Sequence, residues 1–263
     1  MIQTFALRSF RAVLSGSLAL FVSAPALLAQ EAANTPQTKN ALQKYVLDGG
    51  ATMIFIGLAV LALIALVVFN FINLTKTKFC PDDLKAALMD HMSNCRVRSA
   101  IELAASHPSY LGRMMAYALP NIDATRPEDL GREYVEDAIA DFSVNENRKS
   151  MTWINYISLV AQAAPMLGLL GTVIGMVGAF GKLGVTGSAD PAALASDIAV
   201  ALLTTMWGLI TAIPSLLAYY FFKSRLSNLT AEAHKTAEDL LNAALQTVNA
   251  DAYLAKIPEG IAV

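Results

Sequence analysis

Residues 150–181 read SMTWINYISLVAQAAPMLGLLGTVIGMVGAFG, an uninterrupted stretch without a charged side chain. A helix of about 25 such residues is about 38 Å long at 1.5 Å per residue. That length exceeds the roughly 30 Å hydrocarbon core of a bilayer. The stretch therefore predicts a membrane-spanning helix that is tilted or that continues beyond the membrane.

Two further stretches are also free of charge. One lies between Asp48 and Lys76, and the other between Asp197 and Lys223. Hydrophobic residues make up 55% of the chain and charged residues 15%, whereas soluble domains contain about 25% charged residues. We therefore predict an all-α integral membrane protein with transmembrane helices at residues 49–75, 151–181 and 198–222.

Basic residues concentrate on one side of these spans. That side carries Lys76, Lys78, Lys85, Arg148, Lys149, Lys223 and Arg225, and the other carries Lys39, Lys44 and Lys182. Because basic residues favour the cytoplasmic side, we predict cytoplasmic segments at 76–150 and 223–263 and periplasmic segments at 30–48 and 182–197. The net charge of -2 provides no basic face for nucleic acid.

The N-terminal segment resembles a secretory signal. Arg8 and Arg11 precede a short apolar run that ends near Ala29 and contains Ser, Gly and Pro. This pattern predicts a signal peptide at residues 1–29, cleaved after Ala26 or Ala29, which leaves the N-terminus in the periplasm. A short membrane helix that is retained is the alternative.

The predicted cytoplasmic segments are helical. Pro81 and Pro127 are each followed by two acidic residues, a pattern typical of helix starts. We expect the helix that starts at Pro127 to continue into the second span. In the tail, apolar residues recur at helical spacing, which predicts an amphipathic helix that packs on the cytoplasmic helices or lies on the membrane surface. These residues are Leu226, Leu229, Ala233, Leu240, Ala244 and Val248.

The chain shows no pattern of a catalytic or metal site. Four candidate zinc ligands, Cys80, His91, Cys95 and His107, have spacings that fit no compact zinc site. No GxSxG, HExxH or phosphate-loop motif is present. We therefore expect neither an enzyme nor a cofactor.

Small residues follow one stripe along the second span, at alternating spacings of three and four. The stripe consists of Ala161, Ala164, Gly168, Gly171, Gly175 and Gly178. The third span has a stripe with the same spacing, which consists of Ala201, Thr204, Gly208, Thr211 and Ser215. Such stripes allow membrane helices to approach closely, so we predict helix packing at both.

Hydroxyl groups and prolines interrupt the apolar character of these two spans. Thr172, Thr204 and Thr205 either line a polar path for protons or bond helix carbonyls in a packing face, and both interpretations remain open. Pro165 and Pro214 each remove one helix hydrogen bond, which predicts breaks in the helical bonding of the two spans.

None of the three predicted spans contains an Asp, Glu, Lys, Arg or His. Proton transfer through a membrane normally requires an ionisable residue. If this chain takes part in proton conduction, another chain must therefore supply that residue.

Two motifs about thirty residues apart resemble a known family. APMLGLLGTVIGM at 164–176 and IAVALLTTMWGLITAIP at 198–214 are similar to the signature of the MotA/TolQ/ExbB proton channel family. The three-span layout is closest to ExbB and TolQ, which places the chain in the bacterial inner membrane. The resemblance covers roughly residues 45–250.

The resemblance implies a homopentamer that encloses a dimer of a single-span partner similar to ExbD or TolR. The partner's intramembrane aspartate would carry the proton, and Thr172 and Thr205 match the positions that face it. The work would pass to a TonB-like or TolA-like envelope protein. Many relatives carry Glu where this chain has Val200; Asp197, one turn earlier, either substitutes for it or is a helix N-cap or first-turn acid.

Three other interpretations are considered, and the third has the least support. A MotA-like flagellar stator subunit has four spans and gains support if residues 12–29 stay in the membrane. A structural membrane scaffold would use the stripes for packing alone. An intramembrane enzyme would need a carboxylate, histidine or cysteine within the spans, where none is found.

Overall fold

The computed structural model describes residues 50–249, with the exception of 124, 127–128 and 187–190. The predicted signal peptide at 1–29 and the segment at 30–48 lie outside the described residues. Within them the chain forms helices and no strands. The helices are α1 (Gly50–Asn73), α2 (Lys76–Phe79), α3 (Asp82–Ser93), α4 (Val97–Ser106), α5 (Tyr110–Ala118), a 3-10 turn (Leu119–Asn121), α6 (Arg132–Thr186) and α7 (Pro191–Val248).

Three of these helices are long and apolar enough to cross a membrane. The candidate regions are Thr52–Asn73 in α1, Arg132–Lys182 in α6 and Leu194–Val248 in α7. The prediction of an all-α protein with three membrane-spanning helices is thereby confirmed. α6 and α7 contain 55 and 58 residues, so each continues well beyond the length that a bilayer requires.

The described chain divides into two compact units. The membrane unit contains residues 50–65 and 157–218, and the helical unit contains residues 66–156 and 219–249. α6 and α7 each contribute one segment to both units.

The membrane unit buries small and hydroxyl-bearing residues and exposes large apolar ones. Its buried polar residues are Thr52, Thr172, Thr204, Thr211 and Ser215. Its most exposed apolar residues include Ile54 at 68%, Met166 at 70% and Val177 at 67%. This distribution reverses that of a soluble domain and matches a helix bundle whose solvent is lipid.

The helical unit has a conventional apolar core. Leu88, Met92, Met114 and Leu240 are fully buried. α3 begins at Asp82 with Pro81 as its N-cap and two acidic residues in its first turn, as predicted. This arrangement places negative charge at the positive end of the helix dipole.

The tail packs on the helical unit. It is the C-terminal part of α7 and continues directly from the third apolar stretch. The predicted apolar positions from Leu226 to Ala244 are buried. Thr247 donates a hydrogen bond to the Ser93 carbonyl at 2.9 Å, which ties the end of α7 to the end of α3. Val248 is exposed at 40%, so the predicted stripe ends one turn early.

The helix predicted to start at Pro127 starts at Arg132 instead. Leu130 and Gly131 have φ angles of 52° and 66°, in the left-handed region that interrupts a right-handed helix. Burial of the Leu130 side chain, which is 6% exposed, favours this turn. The Asp129 carboxylate accepts a hydrogen bond from the Gly131 amide at 3.1 Å. Pro127 and Glu128 themselves lie outside the described residues, and α6 begins after this left-handed turn.

The predicted periplasmic segment 182–197 is largely helical. α6 extends to Thr186 and α7 begins at Pro191. Both helices thus continue past the charge-free stretches into the polar sequence that separates them.

Candidate functional site

α6 and α7 come into backbone contact inside the membrane unit. A Cβ atom built on Gly208 would lie 2.6 Å from the Ala164 carbonyl oxygen. A Cβ atom built on Gly168 would lie 2.9 Å from both the Thr204 carbonyl oxygen and the Thr205 Cα. These contacts are with backbone atoms that cannot rotate away. Glycine is therefore required at 168 and 208 for the two helices to approach this closely.

α1 joins this contact one turn further along α6. A Cβ atom on Gly171 would lie 2.7 Å from the Thr204 Cβ and 2.9 Å from the Thr52 hydroxyl oxygen. A Cβ atom built on Gly175 would lie 2.6 Å from the Ala201 Cβ. Three helices thus meet around the middle of the predicted stripe.

The stripe opens at its far end. Apart from its own turn of helix, no heavy atom of the described chain lies within 4 Å of a Cβ atom built on Gly178. The contact between helices therefore begins at Ala161 and Ala164, both buried, and loosens beyond Gly175.

Two adjacent threonines of α7 bond the same carbonyl of α6. The hydroxyls of Thr204 and Thr205 each donate a hydrogen bond to the Gly168 carbonyl oxygen at 3.1 Å. The single hydroxyl proton of Thr204 is shared with the Ala201 carbonyl oxygen, which lies at 2.7 Å. A carbonyl oxygen has two lone pairs, so the Gly168 oxygen can accept hydrogen bonds both from an amide of its own helix and from the hydroxyls of α7. The structure thereby brings Thr204, Thr205 and Gly168 together.

The two threonines differ in their exposure. Thr204 is 1% exposed and lies between the helices. Thr205 is half-buried, so part of its side chain reaches the surface of the membrane unit. Of this pair, Thr205 is accessible to a second chain or to water.

Thr172 does not join the shared carbonyl. It is 8% exposed, and its hydroxyl donates to the Leu169 carbonyl of its own helix at 2.7 Å. Further along α7, Thr211 donates to the Trp207 carbonyl and Ser215 to the Thr211 carbonyl. Such bonds satisfy hydroxyls where no bulk water is present.

Pro165 and Pro214 lie inside continuous helices. Neither proline ends or divides its helix, so the predicted breaks are confined to the single hydrogen bond that each proline removes. A proline removes one amide donor, but neighbouring helices and hydroxyls stabilise a transmembrane helix across it. The Ser215 hydroxyl, one residue after Pro214, donates to the helix backbone at 2.7 Å.

An ion pair lies near the ends of the two long helices. The Lys182 ammonium donates to the Asp197 carboxylate at 2.8 Å. α7 begins at Pro191 and has no acidic residue in its first turn, so the interpretation of Asp197 as an N-cap or first-turn acid is wrong. Val200 is half-buried on the next turn.

A family model matches the part of the chain that carries this geometry. The model describes the MotA/TolQ/ExbB proton channel family and matches residues 99–235. The chain belongs to the MotA/TolQ/ExbB proton channel family. Both backbone contacts and all three predicted pathway threonines fall inside the matched residues.

Two curated relatives of this family member are named biopolymer transport protein ExbB. They come from Xanthomonas campestris pv. campestris, strains B100 and ATCC 33913. Each is 32% identical over 182 residues, which cover 66% of this chain and 72% of the relative. The family membership and the three apolar helices identify a membrane protein, as predicted.

One residue of the contact was missed from the sequence. Thr52 of α1 is 7% exposed, and its hydroxyl oxygen lies near Gly171. It is the only hydroxyl-bearing residue between Asp48 and Leu74. That isolation in an apolar helix was a usable signal, because a lone hydroxyl in a span favours a protein-facing position.

Proposed function

We propose that this chain is the multi-span subunit of an ExbB/TolQ-like inner-membrane motor that converts proton motive force into work on the cell envelope. One observation carries the proposal. Two hydroxyls converge on the Gly168 carbonyl within spans that contain no ionisable side chain. The arrangement supports a polar path but lacks a group that binds and releases protons.

The missing group belongs to a partner. An ExbD/TolR-like single-span protein supplies an intramembrane aspartate, which moves past the hydroxyls of this chain. Thr205 is half-buried, and its hydroxyl faces that carboxylate. Thr172 is the second position that the family resemblance assigns to the pathway; it is 8% exposed and donates to the Leu169 carbonyl. Thr204 lies between the helices, so it positions Thr205 and the Gly168 carbonyl rather than contacting the partner.

The subunit assembles as a homopentamer around a dimer of the partner. The open end of the stripe at Gly178 and the exposed apolar residues of α6 provide surfaces for neighbouring copies and for lipid. The name of the Xanthomonas relatives, biopolymer transport, supports coupling to a TonB-like protein. A TolA-like protein that maintains the envelope is the other recipient.

The proposed topology follows the basic residues. The N-terminus is periplasmic after residues 1–29 are removed, and the C-terminus is cytoplasmic. The helical unit then lies in the cytoplasm, where its cysteines stay reduced. This placement also explains why Arg148 and Lys149 precede the charge-free part of α6.

Purification under gentle conditions tests the proposal. The tagged chain is extracted from native membranes in mild detergent, and the complex is weighed by native mass spectrometry. We expect five copies with two copies of a small protein that has one aspartate-containing span. A complex with a flagellar partner would support the MotA-like alternative. Recovery of the chain without any single-span partner would support the scaffold and refute the motor.

A further inference from the structure

A cavity of about 500 Å³ lies in the helical unit. Its walls come from the end of α1, from α2, from the start of α5 and from α6. A volume of this size accommodates the polar headgroup of a lipid or a small metabolite, but not a whole phospholipid.

The cavity lies at the level where two helices change from apolar to charged sequence. The charge-free stretch of α1 ends near Asn73, and that of α6 begins at Ser150. Both residues line the cavity. Because α1 and α6 both change from apolar to charged sequence beside the cavity, the cavity lies at one surface of the membrane. In the topology proposed above this is the cytoplasmic surface.

One wall of the cavity is aromatic and open to the surroundings. The rings of Phe69 and Trp153 have centroids 4.8 Å apart, and both residues line the cavity. They are 41% and 46% exposed. Aromatic residues are typical of the headgroup level, where an apolar ring contacts acyl chains.

The other residues that line the cavity carry a surplus of positive charge. Three cationic residues, Lys78, Arg113 and Lys149, and one carboxylate, Glu146, line the cavity. Glu146 pairs with Arg113 at 2.8 Å and with Lys149 at 3.1 Å. Among the described residues, the Lys78 ammonium donates to the neutral amide oxygen of Asn73 at 3.0 Å and forms no ion pair. Three positive charges against one negative charge leave a net charge of about +2 that an anion can neutralise.

We propose that this cavity binds the phosphate headgroup of an anionic phospholipid from the cytoplasmic leaflet. The phosphate lies between Lys78 and Lys149, and an acyl chain leaves the cavity past Phe69 and Trp153. A soluble phosphate compound explains the lysines but not the exposed aromatic wall at the membrane boundary. The proposal rests on the cytoplasmic placement of the helical unit and not on proton conduction.

Lipid retention by the full-length protein tests the proposal. The purified protein is delipidated in detergent, and binding of phosphatidylglycerol and of phosphatidylcholine is measured by native mass spectrometry. Each lysine near an anionic headgroup contributes about fivefold to affinity. We expect K78Q/K149Q to weaken phosphatidylglycerol binding about 25-fold while phosphatidylcholine binding stays weak and unchanged.

Arg98 provides the matched control, since its side chain is 95% exposed and lies outside the cavity. R98Q removes one positive charge and is expected to leave binding within about twofold. Equal binding of the two lipids, or unchanged binding in K78Q/K149Q, overturns the proposal. A decrease of the same size in R98Q shows unspecific attraction and also overturns it.

Two further measurements separate the sources of phosphate. Millimolar inorganic phosphate is expected not to displace the lipid, and displacement identifies a soluble-anion site instead. A photoactivatable phosphatidylglycerol is expected to label peptides that contain Phe69 or Trp153. Labels confined to other peptides place the lipid elsewhere and refute the assignment. This experiment uses the unmodified protein, so it does not depend on the folding of a variant.

Discussion

Gly208 of α7 lies against Ala164 of α6 so closely that a Cβ atom at 208 would be 2.6 Å from the Ala164 carbonyl oxygen. The same atom would be 3.3 Å from the Gly168 Cα. This approach brings the α7 threonines within reach of the Gly168 carbonyl. The hydrogen bonds of the threonine hydroxyls therefore depend on the short distance between the two helices.

Gly208→Ala is expected to destabilise the membrane unit by about 1–3 kcal/mol, because overpacking against backbone forces the helices apart. Gly178→Ala is the matched control, since a Cβ atom at 178 meets no described atom within 4 Å apart from its own turn of helix. Alanine favours helix over glycine by about 1 kcal/mol, so G178A is expected to be neutral or stabilising. Thermal loss of helical circular dichroism in one detergent compares the two. Equal stability of G208A and G178A would contradict the contact.

Thr205→Val is expected to abolish motor-dependent work while the complex still assembles. A hydroxyl bond between membrane helices contributes only about 0.6 kcal/mol on average, which is too little to prevent assembly. Thr205→Ser keeps the hydroxyl and is expected to retain most activity. Work driven by the proton motive force is measured in cells, and assembly is measured by native mass spectrometry.

Thr211→Val serves as the control for Thr205→Val, because Thr211 is fully buried and bonds its own helix at Trp207. It removes a hydroxyl from the same helix and is expected to leave activity unchanged. Full activity of T205V would refute the pathway role of Thr205. Similar losses in T205V and T211V would indicate a general packing defect.

Arg225→Gln is expected to destabilise the helical unit by about 1–3 kcal/mol. The Arg225 guanidinium donates to the Leu74 carbonyl just beyond the end of α1, and it lies 5.4 Å from the Phe71 ring centroid. Its removal leaves a buried carbonyl without that donor and removes a cation from a helix C-terminus. Arg225→Lys is expected to be intermediate, since an ammonium lacks the planar fork.

Lys223→Gln is the control for Arg225→Gln. Lys223 is exposed, and its ammonium lies 5.7 Å from the Tyr219 ring centroid. Exposed contacts of this kind contribute about 0.5–1 kcal/mol, so a smaller effect is expected in the same thermal melt. A loss in K223Q that matches the loss in R225Q would rule out the specific role of the guanidinium.

The two cysteines are expected to differ in reactivity by more than about tenfold. Cys80 is 1% exposed, and burial raises the pKa of its thiol even though the Thr236 hydroxyl opposes the shift. Cys95 is exposed. Because the thiolate is the reactive form, N-ethylmaleimide is expected to modify Cys95 first, as followed by peptide mass spectrometry. Denaturant provides the control by making the rates equal; equal rates in the native protein would contradict the packing of Cys80.

The membrane character of the fold was predictable because hydropathy is additive along the chain. A charge-free stretch of 25 or more residues leaves few alternatives to a spanning helix, whatever the neighbouring sequence. The tail prediction also succeeded, since Leu229, Ala233 and Leu240 lie on one helical face. The helix begins later than the Pro127 pattern predicts, at Arg132, and it follows a left-handed turn at Leu130 and Gly131 in which Leu130 is buried.

The roles of the site residues were less predictable. Threonine in an apolar helix bonds a backbone carbonyl in either a packing face or a polar path, and sequence spacing is the same in both cases. Only the structure separates Thr204, buried between helices, from the half-buried Thr205. The cavity at Lys78 and Lys149 also escaped prediction, because its walls come from distant parts of the chain.

The amino-acid sequence by itself determined that this protein is helical and spans a membrane, and that its spans contain no ionisable side chain. These are local properties, summed over neighbouring residues. The tertiary structure alone decided that Thr204 and Gly168, 36 residues apart, share a hydrogen bond, and which glycines form the contact. Those outcomes depend on how closely two helices approach and how far each is rotated about its axis. Both are determined by the packing of helix surfaces that are far apart in the sequence.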